Sequence, residues 1–197
     1  MAGFYCDVIR PDDPWNRPYH DDEYGFPIAD DDALFERLVL EINQAGLSWL
    51  TILKKRAAFS AAYDRFDVDK VACYGRRERG RLLKDAGIIR NRLKVDAAIE
   101  NARRVAALRD GHGSFAGWLD AHHPLDKDAW VKLFKQTFRF TGGEITGEFL
   151  LSTGYLPGAH AKSCPVYPKV LRLGPPWSKT GKRGRAQAGE ASRPAAR

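Results

Sequence analysis

The feature that most constrains this chain is the spacing of its apolar residues, which repeats as a helix does and nowhere alternates as a strand would. After Asp30-Asp31-Asp32, the residues Leu34, Phe35, Leu38, Val39, Leu40 and Ile42 form a helical stripe. The three acids supply an N-cap and first-turn negative charge for that helix. Gly46 breaks the pattern. Further helices are expected over 47–56, 57–66, 68–74, 77–86, 91–108, 115–122, 128–138 and 144–155, with Gly87 ending the one at 77–86. β-branched runs are short, so the expected class is all-α.

The 197 residues suffice to bury a sizeable core. No apolar stretch approaches the roughly 20 residues of a membrane-spanning helix. The opening MAGFYCDVIRPDD lacks the basic region and apolar run of a secretory signal. Three cysteines cannot form a disulfide framework without a remainder. A reducing, cytoplasmic setting is therefore expected, with no membrane partner. Charge is uneven along the chain. Residues 1–35 carry nine acids and two bases, whereas the stretch from Arg76 to Arg109 carries eleven bases and four acids. Such a block attracts a polyanion by counterion release, although a solvated helical face is the plainer reading. The last residues, rich in Gly, Pro, Ala and basic side chains, lack periodicity. A helical domain over 1–175 and a flexible basic segment over 176–197 are expected.

Four motifs carry chemistry. His160 and Cys164 are spaced H-x3-C, and Cys6 and His20 lie near the other end. Two thiolates and two imidazoles make a tetrahedral zinc set; packed free thiols and surface histidines are the alternative. Cys73 reads as a buried apolar thiol. In Leu82-Leu83-Lys84-Asp85-Ala86-Gly87-Ile88-Ile89-Arg90-Asn91, two helices meet at a glycine turn flanked by Lys84, Arg90, Arg92 and Lys94. Such a turn can aim backbone N–H groups at a phosphate, or be an ordinary helix corner. Glu41 follows an apolar run and so points into a partly buried place, with Trp49 able to present a flat face near it. A carboxylate beside an aromatic plate can read a purine; a salt-bridged Glu and a core Trp are the alternative. Tyr19-His20-Asp21-Asp22-Glu23-Tyr24-Gly25, dense in aromatic and ionisable groups, suggests a site wall or an anchored polar loop.

Together these residues resemble the 3-methyladenine DNA glycosylase I family, a variant of the helix-hairpin-helix DNA glycosylases. The resemblance is collinear over roughly residues 4–168. It rests on YHDDEYGFP at 19–27, E-x2-QAGLSWLTILKKR from Glu41 to Arg56, KDAGIIRNRLKV at 84–95, FRFTG at 138–142 and HAKSC at 160–164. It implies a structural zinc on Cys6, His20, His160 and Cys164, closed by four protein ligands. It implies Glu41 as the carboxylate that reads the base, Trp49 as its stacking partner and Tyr19 as a pocket residue, with Tyr24 in the pocket wall. Gly46 and Leu47 would enter the gap left by a flipped nucleotide, and the hairpin with Gly87, Lys84 and Arg90 would hold the DNA. Lys84 and Lys94 are read as phosphate contacts.

The implied reaction is hydrolysis of the N-glycosidic bond of an alkylated adenine in double-stranded DNA by a monofunctional, monomeric enzyme. A non-catalytic damage-binding protein of the same fold, or a glycosylase with another alkylated-base preference, are the alternatives. Three departures bear on the pocket wall. Tyr24 stands where the family usually has tryptophan, Ile42 and Asn43 follow the carboxylate, and Trp15 lies four residues before Tyr19 where an aromatic pair is usual. A branched Ile42 is expected to narrow the pocket.

Overall fold

The acidic triplet at the head of the first stripe organises several helices at once. Asp30 caps its own helix by accepting from Ala33 N at 2.8 Å. Asp31 accepts from Phe115 N at 2.7 Å and from Arg109 Nε at 2.9 Å. Asp32 accepts from Val68 N at 2.9 Å. A short run of carboxylates thus satisfies orphan N–H groups at three helix starts.

The structure, a computed structural model, describes residues 4–179, and no strand occurs among them. Ten α-helices follow one another: α1 (Asn16–Asp22), α2 (Asp31–Gln44), α3 (Trp49–Ala62), α4 (Val68–Ala72), α5 (Arg76–Lys84), α6 (Arg92–His112), α7 (Phe115–His122), α8 (Lys127–Thr137), α9 (Gly143–Ser152) and α10 (Tyr167–Arg172). The all-helical expectation holds among the described residues. None of these helices is long and apolar enough to cross a membrane.

Helix α2 runs through the centre, its stripe residues Leu34, Phe35, Leu38, Val39, Leu40 and Ile42 all buried. It packs against α3, α6, α7 and α9, as a helix apolar on most of its faces must. The far end of the core is aromatic, with Phe115, Trp118, Trp130, Phe134, Phe138 and Phe149 packed as tilted, edge-on and stacked pairs. Buried Asn101 on α6 clamps the loop before α9, donating to Arg139 O at 3.0 Å and accepting from Arg139 N at 2.7 Å.

Several expected boundaries move. The helices expected at 47–56 and 57–66 are one, α3, because Ala57 and Ala58 are strong helix formers and nothing there breaks the ladder. The break comes after Ala62, where Asp64, Arg65 and Phe66 take positive φ. Helices α1 and α10 were not foreseen. Both are short and carry a proline in the first turn, which a helix start tolerates but which disguises periodicity. Cys73 is exposed, not buried, since it caps the end of α4. Four residues of the segment expected to be flexible, 176–179, are described. Pro176–Lys179 form a 3-10 turn, with Trp177 N donating to Gly154 O at 3.2 Å. The rest of the expected basic segment, 180–197, lies outside the described residues.

Candidate functional site

The two ends of the described chain meet at a Cys/His cluster. Cys6 comes from a 3-10 turn (Tyr5–Asp7), His20 from α1, and His160 and Cys164 from a tight loop. Their ligand atoms all lie within 4.8 Å of one another. Cys6 Sγ is 3.5 Å from His160 Nδ1, and Cys164 Sγ is 3.6 Å from both His20 Nε2 and His160 Nδ1. Metal–sulfur and metal–nitrogen bonds of ordinary zinc length, set at tetrahedral angles, separate S from N by about 3.6 Å. The second ring nitrogen of each histidine is held as a ligand's should be. His20 Nδ1 lies 2.7 Å from Asp21 Oδ1, and His160 Nε2 lies 2.7 Å from Tyr24 O. The cluster could hold a metal ion.

Beside it lies a cavity of about 640 Å³ that brings Tyr19, Tyr24, Glu41 and Trp49 together with Phe4, Tyr5, Val8, Gln44, Glu144, Glu148, Leu151 and Gly158. Tyr19 and Tyr24 reach it from α1 and the turn after it, one residue before the metal-type His20 and one before Gly25. Glu41 reaches it from the last turns of α2, and Trp49 from the first turn of α3. The tyrosines and Trp49 form a ring cluster, with Tyr19 5.0 Å from Trp49 and Tyr5 5.1 Å from Tyr24 between centroids.

Glu41 is 3% exposed and accepts a hydrogen bond from no described residue. Burial pushes its carboxyl up to about 8; Arg37 counters this, and Glu148 adds to it. The indole N–H of Trp49 is likewise buried without a partner. Unpaired buried polar groups are costly, and in a cavity wall they mark where a ligand's polar edge fits. The cavity thus has aromatic faces able to stack on a flat ring and a carboxyl able to meet a polar edge.

Outside the cavity, the loop after α2 exposes Gly46 and Leu47. Gly46 has φ +81°, which a side chain would strain, and Leu47 is 39% exposed. The hairpin between α5 and α6 rests on α3. A side chain at Gly87 would meet Ala58 Cβ at 3.0 Å, and Lys55 Nζ donates to the carbonyls of Ala86 and Gly87 at 3.1 and 3.0 Å. Lys84 and Arg90 flank the turn and are exposed. Lys94 is not an exposed phosphate contact. It is 5% exposed, and its ammonium donates to Asn43 O at 2.9 Å and Ala45 O at 2.6 Å, tying α6 to the Gly46 loop.

Ile42 does not narrow the cavity. It belongs to the central core, and Asn43 turns back to donate to Val39 O at 2.8 Å. Gln44 lines the cavity instead. The sequence reading missed Tyr5, Arg37 and Glu148. Tyr5 is adjacent to Cys6, and the Glu144/Glu148 pair at i, i+4 on α9 was a visible signal for a helix face turned to one place. A larger cleft of about 730 Å³ runs beside α5 and α6. Its Arg79 is tied to Asp96 and its Arg103 to the carbonyls of Ala72 and Tyr74, and none of its groups is a buried polar atom left unpaired.

Comparison with known proteins agrees with the all-helical fold. The methyladenine glycosylase family matches residues 9–129. The DNA-3-methyladenine glycosylase 1 of Escherichia coli K12 is 37% identical over 175 residues, spanning 79% of this chain and 93% of its own. The DNA-3-methyladenine glycosylase of Haemophilus influenzae is 33% identical over 166 residues, spanning 75% and 89%. Among solved structures, a 3-methyladenine DNA glycosylase I superposes with a TM-score of 0.72 at 34% identity, covering 81% of this chain and 97% of that one. The Staphylococcus aureus enzyme, solved for its recognition of 3-methyladenine, gives 0.71 at 33% identity, covering 79% and 92%. On this agreement of sequence and fold, the chain belongs to the 3-methyladenine DNA glycosylase I family.

Proposed function

We propose that the protein is a monofunctional glycosylase that hydrolyses the N-glycosidic bond of 3-alkylated adenine in duplex DNA after flipping the nucleotide. The observation that carries this reading is the unpaired, buried Glu41 facing an aromatic-walled cavity. N3-alkylation makes the purine cationic. As its glycosidic bond breaks, the electron pair returns to the ring and leaves it neutral, while a water oxygen bonds to the sugar carbon and gives up its proton. Such a base departs without strong acid catalysis, so the protein's task is to admit, stack and orient it. Trp49 and Tyr19 supply rings, Tyr24 closes the wall, and Glu41 accepts from the purine edge. A cation beside Glu41 favours the ionised carboxylate that burial disfavours.

Gly46 and Leu47 form the wedge that fills the gap in the duplex, and the Gly87 hairpin with Lys84 and Arg90 binds phosphates. The Cys6, His20, His160 and Cys164 cluster holds zinc in a structural role, since four protein ligands leave no position for a reacting water. The thiolates this requires suit a reducing cytoplasm, and the protein acts as a monomer. The test is release of free 3-methyladenine from methylated duplex DNA, identified by chromatography. Tight binding of damaged DNA without base release would favour a damage-binding protein instead.

A further inference from the structure

Three glutamates and no cation line the cavity among the described residues. Glu41 is one. Glu148, on α9, is the second that matters. The Tyr24 hydroxyl donates to its Oε2 at 3.2 Å, so this carboxylate has a fixed position in the cavity wall. The third, Glu144, turns outward, its side chain 93% exposed beside Lys127 Nζ.

The nearby positive charge is already committed. Arg37 donates through Nη1 to the Tyr19 hydroxyl at 2.7 Å and through Nη2 to Glu23 at 3.3 Å. The cavity therefore presents two carboxyl groups with no counter-cation in its lining, and among the described residues Glu41 accepts no hydrogen bond. For Glu41, the Glu148 charge acts against ionisation and Arg37 in favour of it. For Glu148, burial and Glu144 raise the carboxyl, and the Tyr24 hydroxyl and Lys127 lower it. A neutral ligand leaves ionisation of the two carboxyls opposed by burial and by each other's charge. A ligand with a fixed positive charge offsets that opposition, favours the ionised pair and is attracted by both.

We propose that Glu148, held by the Tyr24 hydroxyl, is a specificity-determining residue that makes the cavity select a purine bearing a fixed positive charge over the neutral purine of the same ring. The proposal rests on the reading of this cavity as a base pocket, and it adds the residue that senses charge. Glu41 then recognises the edge of the ring, and Glu148 its charge.

The test measures binding of two small probes, the cation 3,9-dimethyladeninium and neutral 9-methyladenine, to the wild-type protein, Glu148→Gln and Tyr24→Phe. The wild-type protein should bind the cation about tenfold or more tightly than the neutral ring, and Glu148→Gln should lose most of that preference. Affinity for the neutral probe should stay nearly constant. Tyr24→Phe leaves the carboxylate in place but unanchored, and should lose part of the preference. With the Glu148 charge gone, Glu41 ionises more readily, so the acid limb of cation binding should move to lower pH in Glu148→Gln. A merely structural role for Glu148 would not move that limb.

Glu148→Gln with the full wild-type preference and an unmoved limb would overturn the proposal. The two readings can fail separately. A wild-type protein that prefers the cation, and loses the preference in Glu148→Gln, yet releases no base from methylated duplex DNA removes the glycosylase reading and leaves this one. Base release with an unchanged preference in Glu148→Gln does the reverse.

Discussion

The Arg37 guanidinium donates to the Tyr19 hydroxyl at 2.7 Å while its carbon sits 4.8 Å from the centre of the same ring. The hydroxyl is thereby used as an acceptor, and its own proton is left for another partner. Tyr19 lines the cavity, so that proton is available to a base or to Glu41. Tyr19→Phe should keep the ring and lose the donor. Single-turnover base release should fall by about tenfold, the worth of one buried hydrogen bond, with affinity for undamaged DNA unchanged. Equal losses in both would place Tyr19 outside the pocket chemistry.

The buried Glu41 should also be visible in stability. Its carboxyl rises from an ordinary 4.5 in the unfolded chain to about 8 in the folded one. Folding therefore favours the protonated form. The cost of burial is absent below the unfolded value, grows between the two, and is complete above about 8. Glu41→Gln removes that cost, so its melting temperature should exceed the wild type's at alkaline pH and converge with it in acid. A constant difference at all pH values would mean that Glu41 does not titrate in this range.

Lys94 and Lys84 should separate cleanly in DNA binding. Lys84 is exposed beside the hairpin, and replacing it with alanine should flatten the salt dependence of binding by about 0.9 in log–log slope. Lys94 is spent on the carbonyls of Asn43 and Ala45. Lys94→Met should leave the slope unchanged but loosen the loop bearing Gly46 and Leu47, lowering base release. A slope change in Lys94→Met would restore the phosphate role that the sequence suggested.

That error shows what the sequence could and could not carry. The stripe in α2 was legible because its period is that of a helix, and the H-x3-C spacing marked half of the Cys/His cluster. Lys94 sits in a dense run of bases, where sequence gives no sign that one ammonium folds inward to satisfy two orphan carbonyls. Glu148 pairs with Tyr24 across 124 positions, a contact only the fold creates. Ile42 and Asn43 follow Glu41 directly, yet helical rotation turns both away from the cavity, so adjacency in sequence misled.

The Cys/His cluster joins Cys6 and His20 to a loop 144 to 154 residues away, and in the reading proposed above it holds zinc. Cys164→Ser should therefore lose bound zinc and stability together, because binding energy at such a site is folding energy. A fall in melting temperature of roughly 10 °C or more is expected, since each kcal/mol moves a chain of this size by about 2–4 °C. Full zinc content with unchanged melting would remove Cys164 from the ligand set.

The most direct measurement is single-turnover release of 3-methyladenine from methylated duplex DNA by the wild-type protein and Glu41→Gln, alongside their affinities for undamaged duplex. The wild type should release the free base, and Glu41→Gln should lose release by about a hundredfold, the order expected when a recognition group at the reacting base is removed, while binding undamaged duplex equally well. A wild-type protein that releases no base, or a Glu41→Gln protein that releases it at the wild-type rate, would contradict the role given to Glu41.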